Sequence, residues 1–161
     1  MGGGGGGTGS LGDARGLEQR AKEELRRAAS GRVNLFISFA QENLNEVNLL
    51  RGQAKNENTN LEFNDRSVQE PYDSDRADYI KQRLTERISQ CSTTVVYLSQ
   101  EAAASRWVEW EVRKSVELDK RVLAVYKGDS VAPASIPTCV RELGIKMLPW
   151  SDLAKELGSS G

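Results

Sequence analysis

The chain has 161 residues with 22 basic and 23 acidic side chains, for a formal charge of −1. A balance this close to neutral gives no electrostatic ground for binding nucleic acid or an anionic membrane, and no stretch approaches the ~20 apolar residues of a membrane span. Histidine is absent. That excludes Ser-His and Cys-His nucleophile pairs and any His-bearing zinc site. Catalysis must therefore rest on carboxylates, Lys, Tyr, Ser, Cys or backbone dipoles. The two cysteines, Cys91 and Cys139, are too few and too far apart for a disulfide framework. They suit a reducing, cytoplasmic compartment.

Residues 1–12 (MGGGGGGTGSLG) are low complexity and are expected to be disordered. They lack the basic segment and apolar run of a secretory signal. Residues 13–30 read as a charged helix with Leu17, Ala21, Leu25 and Ala28 on a narrow stripe. Val33 to Phe39 is β-branched and aromatic and predicts a buried strand. Glu42 to Lys55 follows as a helix with Leu44, Val47, Leu50 and Ala54 on one face. Leu61 to Phe63 is a short second strand, and Asp65 to Ser74 a polar loop. Asp75 is placed to cap a helix reaching Gln90, with Tyr79, Ile80, Leu84 and Ile88 as its apolar face. Thr93 to Leu98 is the third strand, and Ser99 to Ser105 a connection with room for a helical turn. Trp107 to Leu118 is the third main helix and Arg121 to Tyr126 the fourth strand. Gly128 to Pro137 reads as a loop, Ile145 to Leu148 as a fifth strand, and Ser151 to Leu157 as a short helix capped by Ser151. The tail, 158–161, reads as flexible.

Alternation of strands and helices implies right-handed crossovers and a mostly parallel sheet of about five strands with helices on both faces, an α/β three-layer, flavodoxin-like arrangement. Its core should contain Phe36, Ile37, Val95, Val96, Leu123 and Val125. Ligands in such sheets bind beyond the carboxyl ends of the strands. Four segments fall there: 39–43, 64–74, 99–107 and 127–130. None carries a GxGxxG or P-loop, so dinucleotide binding of the Rossmann kind and Walker-type phosphate binding are not expected.

The carboxylates say more. Trp107, Trp110 and Glu111 stand at i, i+3 and i+4 and share one side of a helix, while Glu109 projects elsewhere. A carboxylate beside two indoles is partly desolvated, which strengthens its pull on nearby donors or cations. The bland alternative is that both tryptophans pack in the core around an ordinary first-turn acid. The acid run Glu62, Asp65, Glu70, Asp73, Asp75, Asp78 matches no calcium loop, so no metal is expected. Cys91 reads as a helix-end thiol and Cys139 as a loop thiol, neither a nucleophile.

Three features in order resemble a TIR-like domain. Phe36-Ile37-Ser38-Phe39 is similar to the FISY-type strand that opens TIR domains. Phe63-Asn64-Asp65, through Tyr79-Ile80-Lys81 to Arg87-Ile88, is similar to the second strand, the BB loop and its helix. Ser105-Arg106-Trp107-Val108-Glu109-Trp110-Glu111 resembles the S-x-W-x-x-x-E motif. The closest flavour is the TIR-like group that includes the Thoeris antiphage sensor subunits, over roughly residues 32–128, which makes 31–157 the TIR-like domain. The resemblance implies cleavage of the nicotinamide–ribose bond of NAD⁺, with Glu111 as the catalytic carboxylate and Phe36, Ser38, Phe39 and Trp107 binding the substrate. NAD⁺ is then a substrate rather than a cofactor. The implied product is ADP-ribose or a cyclised form, read by a downstream effector in immune defence. It also implies self-association, with a pocket shared between the loop 65–74 of one domain and Glu111 of another. Ala40-Gln41-Glu42-Asn43 departs from the family, offering Glu42 and Asn43 where many members have aspartate. The competing reading is a non-catalytic TIR-like module that signals by assembly or partner binding. A receiver-like phosphoacceptor would need an aspartate at the end of the third strand, where Ser99 stands.

Overall fold

In the computed structural model, residues 32–64 and 70–159 are described. The expected disordered leader 1–12 and helix 13–30 lie outside those residues. Five strands, β1 (Val33–Ser38), β2 (Leu61–Asn64), β3 (Thr93–Tyr97), β4 (Arg121–Tyr126) and β5 (Lys146–Pro149), form one sheet in the order β2-β1-β3-β4-β5. All neighbours are parallel. The chain steps from β1 out to β2 and then returns to the other side of β1, so the topological switch falls between β1 and β3.

Alternation along β1 divides its side chains between two buried faces. Leu35, Ile37 and Phe39 join Val95, Tyr97, Leu123 and Val125 beneath α1 (Leu44–Glu57) and α6 (Leu153–Ser159), where Val47, Leu50, Trp150 and Leu153 close the layer. Phe36, Ser38 and Ala40 face the opposite layer. There Phe36 packs with Leu84 and Ile88 of α2 (Ala77–Gln90). Ala40, Val96 and Ala124 meet Ala102 of α3 (Gln100–Ala103), Val108 and Val112 of α4 (Arg106–Glu117), and Val140 of α5 (Thr138–Glu142). Burial on both faces explains why the strands read as continuous apolar runs. All six residues expected in the core are at most 2% exposed.

Local departures from the expected elements have physical causes. The second helix starts at Ala77 rather than at Asp75. Arg76 is its cap residue and no side-chain cap bond forms; instead Ser74 accepts the Arg76 and Ala77 backbone N–H groups. Tyr79, expected on the apolar face of α2, is exposed, so that face begins at Ala77 and Ile80. Ser151 does not cap the last helix. It lies inside a 3-10 turn, Trp150–Asp152, held where the Trp150 indole N–H donates to the Leu50 carbonyl at 2.6 Å. The last helix runs to Ser159, so Gly158 and Ser159 are helical rather than part of a tail.

Between the loop ending at Pro137 and β5, a stretch to which the sequence assigned no element, lies α5, and Cys139 is a buried helical residue rather than a loop thiol. α4 and α5 end alike. Lys120 N–H returns to the Ser115 carbonyl and Asp119 N–H to Val116; Ile145 N–H returns to Val140 and Gly144 N–H to Arg141. This double bond pattern needs a left-handed residue at the first position past the cap, filled by Asp119 (φ 61°) and Gly144 (φ 63°). Cys91 ends α2, buried, and both thiols are free. Burial is the main cause that raises both thiol pKa values.

Truncating Ile37, which is 0% exposed at the centre of β1, to alanine should destabilise the domain by about 2–5 kcal/mol. Urea titration checks it: the midpoint should fall with the slope unchanged.

Candidate functional site

α4 lies over β1, β3 and β4 and carries the S-x-W-x-x-x-E residues. Ser105 opens it as a side-chain cap, accepting the Val108 N–H at 3.1 Å. Trp107, Glu111 and Ser115 follow at four-residue steps on the face turned to the sheet. Such a step advances about 6 Å along a helix, close to two residues of strand, so successive inward residues of α4 meet alternate residues of the strands. Glu111 meets Ser38, whose Oγ–H donates to Glu111 Oε1 at 2.6 Å. One turn on, Ser115 Oγ donates to the Glu111 backbone carbonyl and lies 2.7 Å from Thr94 Oγ1. Ser38, Thr94, Glu111 and Ser115 are at most 3% exposed. A polar seam thus crosses the otherwise apolar helix–sheet interface.

One turn the other way, towards the carboxyl edge, stands Trp107. Its indole N–H donates to the Glu70 carbonyl at 2.8 Å, and the Tyr72 ring meets it edge-on with centroids 4.9 Å apart. The Tyr72 ring also receives two cations, Lys81 and Arg106, each at 4.4 Å. Arg106 Nη1 reaches both oxygens of Asp73 at 2.8 Å. Residues 70–76 are therefore strapped over the start of α4. Beside them a surface pocket of about 300 Å³ is lined by Tyr72, Arg106, Glu109, Trp110 and Arg113. Glu109 faces solvent there and pairs with Arg113, which also reaches Glu142 at 2.5 Å.

At the carboxyl edge of β1 and β3, Ser99 caps α3 and donates to Asn43 Oδ1 at 2.6 Å, while Asn43 Nδ2 donates to Glu101 at 3.1 Å. On the other side of the sheet the Tyr97 hydroxyl donates to Glu46, with Lys127 3.5 Å from the same carboxylate. Burial, followed by that hydrogen bond, raises the Tyr97 pKa. The phenol stays protonated, and a donor, through the neutral range.

The structure brings together three of the five residues expected in the site. Ser38 touches Glu111, and Trp107 stands one turn from it on the same helix face. Phe36 shares the apolar cluster of Trp107 but is 0% exposed. Phe39 is 1% exposed and points to the opposite face, under α1, because just past β1 it continues the alternation on the side of Leu35 and Ile37, away from Glu111. Ser38 spends its hydroxyl on Glu111 rather than presenting it to solvent. The sequence reading did not include Ser115, Thr94, Tyr72 or Arg106. Ser115 was findable, four residues beyond Glu111 on one helix. Tyr72 sits in an irregular segment with no period to reveal it. Among the described residues no three His, Cys, Asp or Glu side chains gather to hold a metal ion, and no helix is long and apolar enough to cross a membrane.

Residues 36–131, more than half of the chain, match the family described as Thoeris protein ThsB, TIR-like domain. The chain belongs to that family. The seam between α4 and β1 is thus a feature of a Thoeris-type TIR-like domain. Among solved structures, the chain is similar to the TIR domains in a structure described as the activated Roq1 resistosome directly recognizing the pathogen effector XopQ. The TM-score is 0.44 at 17% identity, over 80% of this chain and 72% of that one. No curated protein sequence matches.

Replacing Trp107 by phenylalanine keeps the ring but deletes the donor to Glu70. Protection of the amides around Tyr72–Arg76 against hydrogen exchange should fall by about 2–10-fold, the net worth of one hydrogen bond, while protection in β3 stays unchanged.

Proposed function

We propose that this TIR-like domain cleaves the nicotinamide–ribose bond of NAD⁺, with Glu111 as the catalytic carboxylate. The observation that carries the reading is the placement of the W-x-x-x-E glutamate. It is 0% exposed and held by Ser38 at 2.6 Å, one turn below Trp107, whereas Glu109 is solvated and already paired. Nicotinamide leaves as a neutral ring from a cationic one, so the reaction needs no general acid, and a protein without histidine can perform it. Charge develops on the ribose in an oxocarbenium-like state, and a carboxylate fixed in advance in a water-poor setting stabilises it with little reorganisation. Ser38 fixes the carboxylate, and Trp107 stands one turn away on the same helix.

In the described state the Glu111 carboxyl is closed to solvent, so turnover requires the site to open. The strap 70–76, tied to Trp107 and Arg106 by two polar contacts, a ring contact and the Arg106 cation over Tyr72, is the element best suited to move. Assembly with a second copy would supply the trigger, consistent with a pocket shared between domains. The product would be ADP-ribose or a cyclised form acting as a defence signal. The second reading, a non-catalytic module signalling by self-association, draws on the same closed carboxyl, since a structural acid bonded to Ser38 is buried in the same way.

Chromatography of nicotinamide released from NAD⁺ separates the two readings. Glu111→Gln keeps size and hydrogen-bonding reach but removes the charge, and should lower release by about 10²–10³-fold. Glu109→Gln should change it less than about threefold, since an exposed pair contributes little. Circular dichroism checks that both variants fold. Loss of turnover in Glu109→Gln with Glu111→Gln spared would refute the assignment, and no release from assembled wild type would leave the signalling module. Specific activity should also rise with protein concentration; a flat profile where light scattering reports only monomer would count against the shared pocket.

A further inference from the structure

We propose that Thr94 and Ser115 are positioning residues for Glu111: they tie its main chain to β3 independently of its carboxyl, so that Glu111 keeps its place when the carboxyl turns to a ribose. The proposal deepens the NAD⁺-cleavage reading and rests on it for the reaction.

The tie is a chain of hydroxyls. Ser115 Oγ–H donates to the Glu111 carbonyl at 2.7 Å. A bond to the carbonyl one turn back is common for serine in helices; here a second hydroxyl joins it. Thr94 Oγ1 lies 2.7 Å from Ser115 Oγ. A hydroxyl has one hydrogen, and that of Ser115 is already given to Glu111, so Thr94 is the donor to Ser115. Thr94 thus reaches the Glu111 main chain through Ser115, while Ser38 holds the Glu111 side chain. The two ties come from neighbouring strands. Thr94 stands opposite Phe36, and Ser38 opposite Val96. The anchor points are therefore two residues apart along the sheet, which matches one turn of α4.

The two ties meet different fates when the site opens. Ribose hydroxyls and water then compete with Ser38 for the carboxyl oxygens. Thr94 and Ser115 are 0% exposed and stand a turn further from the carboxyl edge, outside that competition. A residue fixed through its reacting group alone would lose its position as it acted. Glu111 is fixed through its carbonyl as well, and placement matters: a shift of about 1 Å can cost ~10²-fold in rate.

Stability and turnover, measured side by side on the full chain, test the proposal. Thr94→Val keeps the side-chain shape and removes the donor; Ser115→Ala removes the relay. Each alone leaves a buried hydroxyl short of a partner and should lower the melting temperature, whereas the double variant removes both hydroxyls together and should recover most of it. Turnover should not recover with it: kcat for nicotinamide release should stay about tenfold below wild type, with KM within about twofold. Thr94→Ser keeps the donor and loses only a methyl, and should do the reverse, with a lower melting temperature and kcat retained. Should the double variant fold poorly, Thr94→Val against Thr94→Ser makes the same comparison at one position. Amide exchange over residues 111–115 should quicken by about fivefold in the double variant, with β4 unchanged. A kcat that returns with the melting temperature, an equal loss of kcat in Thr94→Ser, or a change in KM alone would overturn the positioning role and leave the cleavage reading intact. Unchanged exchange over 111–115 would overturn the tie itself. No release from assembled wild type would sink the cleavage reading, and the positioning role with it.

Discussion

A carboxyl taken wholly out of water must find hydrogen-bond partners or destabilise the fold by several kcal/mol. Glu111 meets that condition through Ser38, and the requirement organises much of the domain around it. It fixes the axial position of α4 on the sheet, since Glu111 must lie over Ser38 while Ser115 lies over Thr94. A slide by one residue would break both bonds between helix and sheet, Ser38 to Glu111 and Thr94 to Ser115. Apolar contacts alone tolerate such slides more readily, because they are not directional. The seam therefore specifies the register of the helix as well as contributing to its stability.

From that register the rest of the site follows. With Glu111 over Ser38, Trp107 is carried to the carboxyl edge, where its indole N–H meets the Glu70 carbonyl and its ring meets Tyr72. Arg106, the next residue back, is carried outward to Asp73 and to the Tyr72 ring. The strap is thus held by the first turn of the same helix that buries the carboxylate. The two are mechanically coupled: moving the strap disturbs Trp107, which stands one turn from Glu111. Exposed ion pairs such as Arg106–Asp73 are weak individually, so a strap tied this way can be held in the resting state and still be displaced.

Much of the fold could be read from the chain because its signals are local. Val33–Phe39, Thr93–Leu98 and Arg121–Tyr126 are short β-branched runs separated by helical spacing, and each became a parallel strand within one residue of its expected bounds. The missed helix, α5, is five residues long, too short for a period to show, although Gly144 past its end was a usable signal. Asp75 and Ser151 were suitable cap residues that the tertiary structure passed over. Backbone bonds from Ser74 supplied one helix start, and the Trp150–Leu50 bond set the other.

The sequence by itself determined the strand–helix alternation, the two-faced core and the helix carrying Trp107 and Glu111 on one side and Glu109 on the other, because each depends on periodicity within a single element. Only the tertiary structure decided which groups those side chains meet. That Ser38 bonds Glu111 across 73 positions of chain, that Phe39 turns away beneath α1, and that Tyr72 lies on Trp107 all depend on how separate elements pack. Strand order and helix register set those contacts, and they arise when directional polar groups from distant segments must be satisfied together, which no local pattern encodes.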